Sequence, residues 1–176
     1  MQSLQDHFLI AMPNLADPFF SRTVSYICEH DDNGAMGFII NRTTQFVTRD
    51  LLKQLELESN NETNYRESFL NSPIHIGGPV QNESGFILHN NDCHWENTLQ
   101  VSSNTALTSS HDVLTALANG TGPDEYLIIL GFANWEAGQL EQEIIENAWL
   151  HGPADADTLF RTLLNNAGQV LPKIWV

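Results

Sequence analysis

The chain is short of basic residues. Its 176 residues carry 22 acidic side chains but only seven lysines and arginines, which gives a formal net charge of −15 at pH 7. No lysine or arginine occurs in the 94 residues between Arg66 and Arg161, where thirteen acidic residues lie. A protein that grips nucleic acid needs several basic contacts to the phosphates. The composition therefore argues against a nucleic-acid partner and, for the same electrostatic reason, against docking on anionic lipid.

Cysteines and long apolar runs are also scarce. Cys28 and Cys93 are too few for a disulfide framework, and two free thiols in a reducing compartment are favoured over a single bridge. The N-terminal apolar run, Phe8 to Met12, is too short for a signal-peptide core or a membrane span. We therefore expect a cytoplasmic protein without a membrane partner.

The common catalytic and cofactor motifs are missing. The sequence contains no G-x-G-x-x-G or G-x-x-x-x-G-K-[ST] nucleotide loop and no G-x-S-x-G nucleophile elbow. His89, Cys93 and His94 are close together, but no second group of ligands follows at a complementary spacing, so we expect no metal site. We assign no catalytic residue and no cofactor, and the sequence leans away from an enzyme.

The elements that the sequence does contain occur in a mixed order. Hydrophobic residues make up 41% of the chain, enough for one domain over residues 1–176. Strands are predicted for Phe8–Met12, Thr23–His30, Ala35–Asn41, Ile74–Ile76, Gly85–His89, Leu99–Val101 and Tyr126–Leu130. Helices are predicted for Thr48–Leu57, from Ser109 or Ser110 to Ala118, along the apolar face Leu140, Ile144, Ile145 and Ala148, and for Thr158–Ala167. This order lacks a βαβ repeat, and it predicts an α+β fold with a mostly antiparallel sheet and helices packed outside.

Two local signals predict how neighbouring elements connect. Asn33-Gly34 between two apolar runs is typical of a two-residue hairpin turn, which would place Cys28 opposite Ile39 and Ile27 opposite Ile40. After the buried strand, Asn134 is a suitable helix N-cap, and Glu136 then falls in the first helical turn.

Two segments are candidates for ligand binding. Gly77-Gly78-Pro79 forces a sharp turn, where backbone amides can face a ligand or where two strands can simply approach closely. Gly131–Trp149 joins a buried strand to a helix, a common position for ligands. Within it, Glu143 and Glu146 share one helix face, which can bind a hard cation or form an ordinary solvated acidic surface.

Several short motifs occur together in three stretches of the chain. They are A-M-P…D and E-H-D…G-A-M-G…I-N within Phe8–Asn41, G-G-P-V…G…L-H within Gly77–His89, and G-Q-L-E-x-E-I-x-x-N-x-W within Gly131–Leu150. In order and spacing, from about Leu4 to Leu150, the chain resembles the AlgH / YqgE family of small, uncharacterised bacterial proteins. The resemblance implies a single α+β domain in the bacterial cytoplasm. It also implies a bifurcated β-structure, partly barrel-like, surrounded by helices.

The resemblance supplies no mechanism and no catalytic residue, although the family carries a transcriptional-regulator label. The positions that match its motifs are the candidate binding residues. They are Asn41, Gly77, Gly78, Pro79, His89, Trp135, Gly138, Gln139, Glu141 and Asn147. Asn134 departs from the pattern, since the family usually has glycine there, and this weakens any site that needs bare backbone at that point.

Two classes of function are compatible with these observations. The first is a non-enzymatic binding or regulatory protein that contacts an unknown protein or small molecule. The alternative is a small-ligand binder or enzyme with a pocket between Gly77–Pro79 and Gly131–Gln139, where Asn41, His89 or Glu141 converge. Direct DNA binding is a third hypothesis, which the charge opposes.

Overall fold

The computed structural model of the protein describes residues 2–55, 65–90 and 95–162. Within these ranges the chain forms ten strands: β1 (His7–Ala11), β2 (Val24–Asp31), β3 (Gly34–Ile39), β4 (Thr43–Val47), β5 (Pro73–Ile76), β6 (Val80–Asn90), β7 (Thr98–Gln100), β8 (Thr105–Thr108), β9 (Tyr126–Glu136) and β10 (Trp149–Pro153). The helices are α1 (Thr48–Gln54), α2 (Glu67–Leu70), α3 (Asp112–Asn119) and α4 (Gln139–Ile145), followed by a π-helical turn at Thr158–Thr162.

The strands join into one network that branches at β9. The main path runs β10-β1-β2-β3-β9-β6-β8-β7. The first half of β9 forms an antiparallel pairing with β6 and a parallel pairing with β5. Its second half forms an antiparallel pairing with β3. Across the described ranges every other pairing is antiparallel, including that of β4 with β5. The sheet curls into a half-barrel, and the predicted α+β fold with a mostly antiparallel, bifurcated sheet is confirmed.

Apolar side chains cover both faces of the central strands. Because successive strand residues point to opposite faces, Tyr26 contributes to one core cluster and its neighbour Ile27 to another. A third cluster lies between the first three helices and β9, where Ile128 packs. Burial on both faces requires cover from helices and loops, which is why the helices lie outside the sheet.

The β2–β3 hairpin forms as expected, but its predicted register is wrong. The loop is Asp32-Asn33, one residue earlier than predicted, with Asp31 paired to Gly34. The Asp31 carboxylate accepts a hydrogen bond from the Asn33 amide at 2.7 Å, which stabilises the turn at this position. Gly34 instead provides close approach to β9, since a Cβ atom there would lie 2.2 Å from the Trp135 carbonyl oxygen.

A β-bulge displaces the register further. Ile27 lies opposite Gly37 and Ser25 opposite Ile39, with an irregularity between Ile27 and Glu29. Cys28 sits at this bulge as a buried free thiol, and burial raises its pKa. The predicted pairing of Cys28 with Ile39 is therefore wrong. A bulge adds one residue to a strand, and local sequence does not show where this happens. Cys93 and His94 lie outside the described residues.

Other element boundaries also differ from the predictions. Asn134 is not a helix N-cap: it lies in β9, which β3 extends by pairing Met36 with Asn134. Helix α4 starts only at Gln139 and ends at Ile145, which is 66% exposed and so is not part of the predicted buried face. Gly138 caps α4 with a φ of 75°, a conformation that glycine adopts without strain.

Three strands and one short helix have no counterpart among the predictions. They are β4, β8, β10 and α2. The strands are four or five residues long, and β10 contains Gly152 and Pro153, which are uncommon inside strands. Helix α1 begins at Thr48, after the N-cap Val47, and so starts where the sequence predicts. At the C-terminal side, Thr158–Thr162 is π-helical, and the rest of that predicted helix lies outside the described residues. Over the described ranges, no helix combines the length and apolar character that crossing a membrane requires.

Candidate functional site

The Gly77–Pro79 turn packs directly on β9. The Gly77 amide donates to the Leu130 carbonyl at 2.8 Å, and the Gly77 carbonyl accepts from the Ile39 amide at 2.7 Å. A Cβ atom on Gly78 would lie 2.0 Å from the backbone of Phe132. Both glycines are buried, and Pro79 is exposed. The two predicted segments therefore do meet, but backbone lies against backbone, and not even one carbon atom fits beside Gly78.

Asn41 and His89 are occupied by contacts within the fold. The Asn41 side chain accepts a hydrogen bond from the Val24 amide at 2.8 Å and donates one to the Arg22 carbonyl at 3.0 Å. His89 is fully buried in β6, with Nε2 2.7 Å from the Thr108 hydroxyl of β8. Each side chain thus ties neighbouring segments together.

Trp135 belongs to a cluster around the carboxylate of Glu143. The indole N–H groups of Trp135 and Trp149 both donate to Glu143 Oε2, at 3.0 and 2.7 Å. The side-chain amide of Gln139 donates to the other carboxylate oxygen, Glu143 Oε1, at 2.9 Å. Both indoles are buried, and the Phe20 ring packs against each of them. Glu143, considered from sequence as a cation ligand or a solvated side chain, instead anchors α4 to β9 and β10.

Glu141 connects α4 to the N-terminal segment. Its Oε1 lies 2.8 Å from His30 Nε2, and the Leu4 amide donates to His30 Nδ1 at 2.8 Å. Because Nδ1 accepts a hydrogen bond, Nε2 carries the ring proton and donates it to the carboxylate. Glu141's own backbone N–H and then the His30 side chain lower the pKa of Glu141.

The remaining candidates shape the ends of α4. Gln139 Oε1 accepts a hydrogen bond from the Glu136 amide at 2.9 Å, next to the Gly138 cap. Asn147 follows the helix with a φ of 59°, a left-handed conformation that asparagine tolerates. The ten candidates thus lie in several places in the fold, and those around α4 form the largest group. No group of metal ligands occurs among residues 2–55, 65–90 and 95–162.

A separate cleft of about 480 Å³ opens between α1, β6 and the start of α3. Apolar residues of α1, β6, α3 and β9 line it: Leu51, Leu55, Ile87, Leu114 and Leu130. Its polar lining includes Gln81, Ser84, Ser109 and Ser110, and its ionisable side chains are Glu83 and His111. None of these residues stands among the sequence candidates.

Gly85 is one reason that the cleft is open. It lies within β6, opposite Leu130, and the nearest atom to a Cβ built there is Leu130 Cδ2 at 4.0 Å. The pairing of β6 with β9 is irregular between Val80 and Gly85, and Gln81, Glu83 and Ser84 of this irregular stretch line the cleft. The glycine inside strand β6 is the one sequence signal for this cleft, since a glycine in a strand often marks a place that a ligand approaches closely.

The fold and these contacts define a small α+β protein of an established family. A family model described as AlgH-like matches residues 8–170, and the chain belongs to this family. A UPF0301 protein of Chromohalobacter salexigens is 49% identical over 161 residues, which cover 91% of this chain and 84% of that protein. A UPF0301 protein of Shewanella oneidensis is 46% identical over 160 residues, with coverage of 91% and 84%.

Solved structures agree with the assignment. The solution structure of the AlgH protein from Pseudomonas aeruginosa matches with a TM-score of 0.78 at 45% identity, covering 91% of this chain and 82% of that one. A crystal structure of a Corynebacterium diphtheriae protein matches with a TM-score of 0.68 at 18% identity, covering 90% and 80%. The second likeness concerns the fold alone. The resemblance noted in the sequence motifs is confirmed.

Proposed function

We propose that this chain is a cytoplasmic, non-enzymatic binding protein whose cleft between α1, β6 and α3 takes a small neutral molecule with an apolar body. The observation that carries the proposal is the cleft itself. Its volume of about 480 Å³ lies within the range of small-molecule sites. Its leucine and isoleucine side chains match an apolar body, and the neighbouring hydroxyl and amide groups can orient a polar end.

The charge of the lining supports a neutral ligand. The described residues around the cleft include no lysine or arginine, and Glu83 adds a negative charge. An anion would meet this carboxylate without any basic group to offset the repulsion. A fixed cation would lose hydration against the apolar walls for the sake of one carboxylate. A neutral molecule avoids both costs.

The position of the cleft supports a regulatory role for its ligand. Leu51, Ile87 and Leu114 come from three elements that are distant in sequence. A molecule that contacts all three stabilises one relative arrangement of these elements, because binding to the folded state shifts its equilibrium by mass action. A protein partner that binds the surface formed by these three elements would then respond to whether the cleft is occupied.

A cleft-filling substitution tests the proposal. Gly85→Leu projects a side chain into the cleft without a backbone collision, since open space surrounds its Cβ position. We expect it to weaken binding of the neutral fluorescent probe Nile red by at least about tenfold, or about 1.4 kcal/mol. Gly152→Leu in β10 is the matched control, because nothing lies within 4 Å of that Cβ position and the residue is away from the cleft.

Fluorescence titration distinguishes the outcomes. Nile red is expected to bind wild type and Gly152→Leu equally, and the anionic probe 1-anilinonaphthalene-8-sulfonate is expected to bind more weakly. Thermal unfolding of both variants verifies that the fold is intact. Equal Nile red binding by Gly85→Leu and wild type, or tighter binding of the anionic probe, contradicts the proposal.

A further inference from the structure

A second cavity, of about 220 Å³, lies beside β5 and the first residues of β9. His75 of β5, Tyr126 of β9 and Phe160 of the π-helical turn contribute to its walls. Ile128 is the one residue that it shares with the lining of the larger cleft. The two spaces are therefore distinct, and a ligand of this cavity is independent of the function proposed for the cleft.

His75 presents an unused acceptor to this cavity. The residue is only 3% exposed, and Nδ1 lies 3.3 Å from the Ile128 carbonyl oxygen. A carbonyl can only accept, so Nδ1 carries the proton and Nε2 keeps its lone pair. Burial lowers the pKa of His75, which keeps the ring neutral near pH 7.

The second nitrogen of this ring has no partner within the part of the chain that the structure describes. In that part, the polar side-chain atoms that are both sealed from solvent and unpaired are Ser25 Oγ and Trp95 Nε1. His75 Nε2 is unpaired but is not one of these two atoms, so it is not sealed from solvent. Since His75 lines the cavity, Nε2 is reached from there.

The neighbouring hydroxyls of Ser72 and Tyr126 are engaged with each other. Ser72 Oγ donates its single proton to the Ser68 carbonyl at 2.9 Å. Ser72 Oγ also lies 2.8 Å from the Tyr126 hydroxyl, so the tyrosine must be the donor in that contact. The Tyr126 oxygen then has only lone pairs left to offer. Both residues line the cavity, but Tyr126 packs on the third core cluster and His75 lies on the opposite face of the sheet, so His75 is the acceptor for a ligand.

Negative charge prevails beside this acceptor. Asp124 and Glu125 line the cavity. Arg161 is the nearby base; it pairs with Glu125 at 2.5 Å and with Asp157 at 2.9 Å. One guanidinium thus pairs with two carboxylates, and Asp124 adds a third negative charge beside the cavity. A ligand for this cavity therefore needs N–H donors. A positive charge on the ligand would offset the negative charge of the carboxylates.

We propose that the cavity binds a small organic ammonium ion, which donates an N–H to Nε2 of His75. An ammonium group has three donors and no acceptor, which complements the free lone pair of His75 Nε2. Its charge is matched by Asp124. A metal ion fits less well, because His75 is a single nitrogen ligand and the described residues contain no cluster of three ligating side chains.

The test is a titration of the full-length protein with n-butylammonium chloride, followed by long-range ¹H–¹⁵N NMR of the histidine rings. We expect a saturable shift of the His75 Nε2 resonance, while Nδ1 remains the protonated nitrogen. 1-Butanol has the same chain without the charge, and we expect it to bind at least about tenfold more weakly, since charge-assisted hydrogen bonds are the stronger ones. Sodium chloride at equal concentration controls for ionic strength.

Two variants identify the acceptor. His75→Asn keeps a donor for the Ile128 carbonyl but removes Nε2, and we expect binding at least about tenfold weaker. His7→Asn is the matched control, because His7 Nδ1 likewise lies 3.0 Å from a backbone carbonyl, that of Gln5, on the distant strand β1. We expect it to bind like wild type. If His75→Asn fails to fold, the exposed substitution Asp124→Asn serves instead, with weaker binding expected.

Several results would overturn the proposal. One is a His75 resonance that shifts without saturation or does not shift. Another is 1-butanol binding as tightly as n-butylammonium, which would indicate an ordinary apolar cavity. Undiminished binding by a folded His75→Asn variant would place the ammonium elsewhere. A saturable Zn²⁺ shift at His75 in the absence of any ammonium response would assign a metal site.

Discussion

Replacing Glu143 by alanine is expected to destabilise the protein much more than a comparable change elsewhere on α4. The Glu143 carboxylate accepts hydrogen bonds from two buried indoles, those of Trp135 and Trp149, and from the Gln139 amide. Removing it leaves two buried N–H groups without a partner, each costing about 1–3 kcal/mol. Gln139 is exposed and can turn to water. The expected loss is therefore about 2–6 kcal/mol, against a typical total stability of about 5–15 kcal/mol.

Urea unfolding, followed by circular dichroism and tryptophan fluorescence, measures this loss as a fall in the midpoint at constant slope. Glu146→Ala is the matched control at the C-cap of the same helix, since Glu146 is exposed and accepts a hydrogen bond from Gln142 at 2.8 Å. Its expected effect is within about 0.5 kcal/mol.

A double-mutant cycle identifies the source of the loss. Trp149→Phe retains an aromatic ring but removes one indole donor, so in the Glu143→Ala background one buried N–H no longer needs a partner. We expect the two changes to be non-additive by about 1–3 kcal/mol. Additive losses, or equal stability of Glu143→Ala and Glu146→Ala, would refute the assignment of Glu143 as the anchor of this cluster.

Two further predictions concern the turn and the His30 contact. Gly78→Ala is expected to cost at least about 2 kcal/mol in urea unfolding, because its Cβ would lie 2.0 Å from the backbone of Phe132; Gly152→Ala, with open space around it, is the control, and equal losses would contradict the close-packing role. The folded pKa of Glu141 is lowered by its own backbone N–H and by His30, so its stabilising effect is present above the ordinary glutamate pKa of about 4.3 and is lost as pH falls through the lower folded value. Glu141→Gln should therefore flatten the profile of unfolding free energy across that acid range, and an unchanged profile would show that these contacts do not lower the pKa of Glu141.

The apolar patterns of the sequence predict most strands and their antiparallel character, because burial of a strand face leaves a local signature. They do not predict where β9 ends. Asn134 has the side chain of a helix cap, yet β3 pairs with this segment and extends the strand. β10 likewise forms because β1 is beside it, although its Gly152 and Pro153 disfavour strand. Pairing with a remote strand outweighs these local preferences.

The family motifs identify the candidate residues by their positions in the sequence. They do not show how far apart these residues lie in the folded protein. Asn41, Gly78 and Trp135 are all drawn into contacts that hold the fold together. The cleft and His75, in contrast, have no motif of their own. The only sequence signal for the cleft is Gly85, which is ambiguous without knowledge of which side chains surround it.

By itself, the sequence determined the scarcity of positive charge, the mixed α+β composition and the family motifs, because all three depend on residue identity and short-range order. Tertiary structure alone decided the β2–β3 register, the cleft, the tautomer of His75 and the partners of Glu143. These depend on contacts between distant parts of the chain: His30 and Glu141, for example, are 111 residues apart but are joined by a hydrogen bond of 2.8 Å. Local sequence carries no information about such a contact, since only the folded sheet brings the two side chains together.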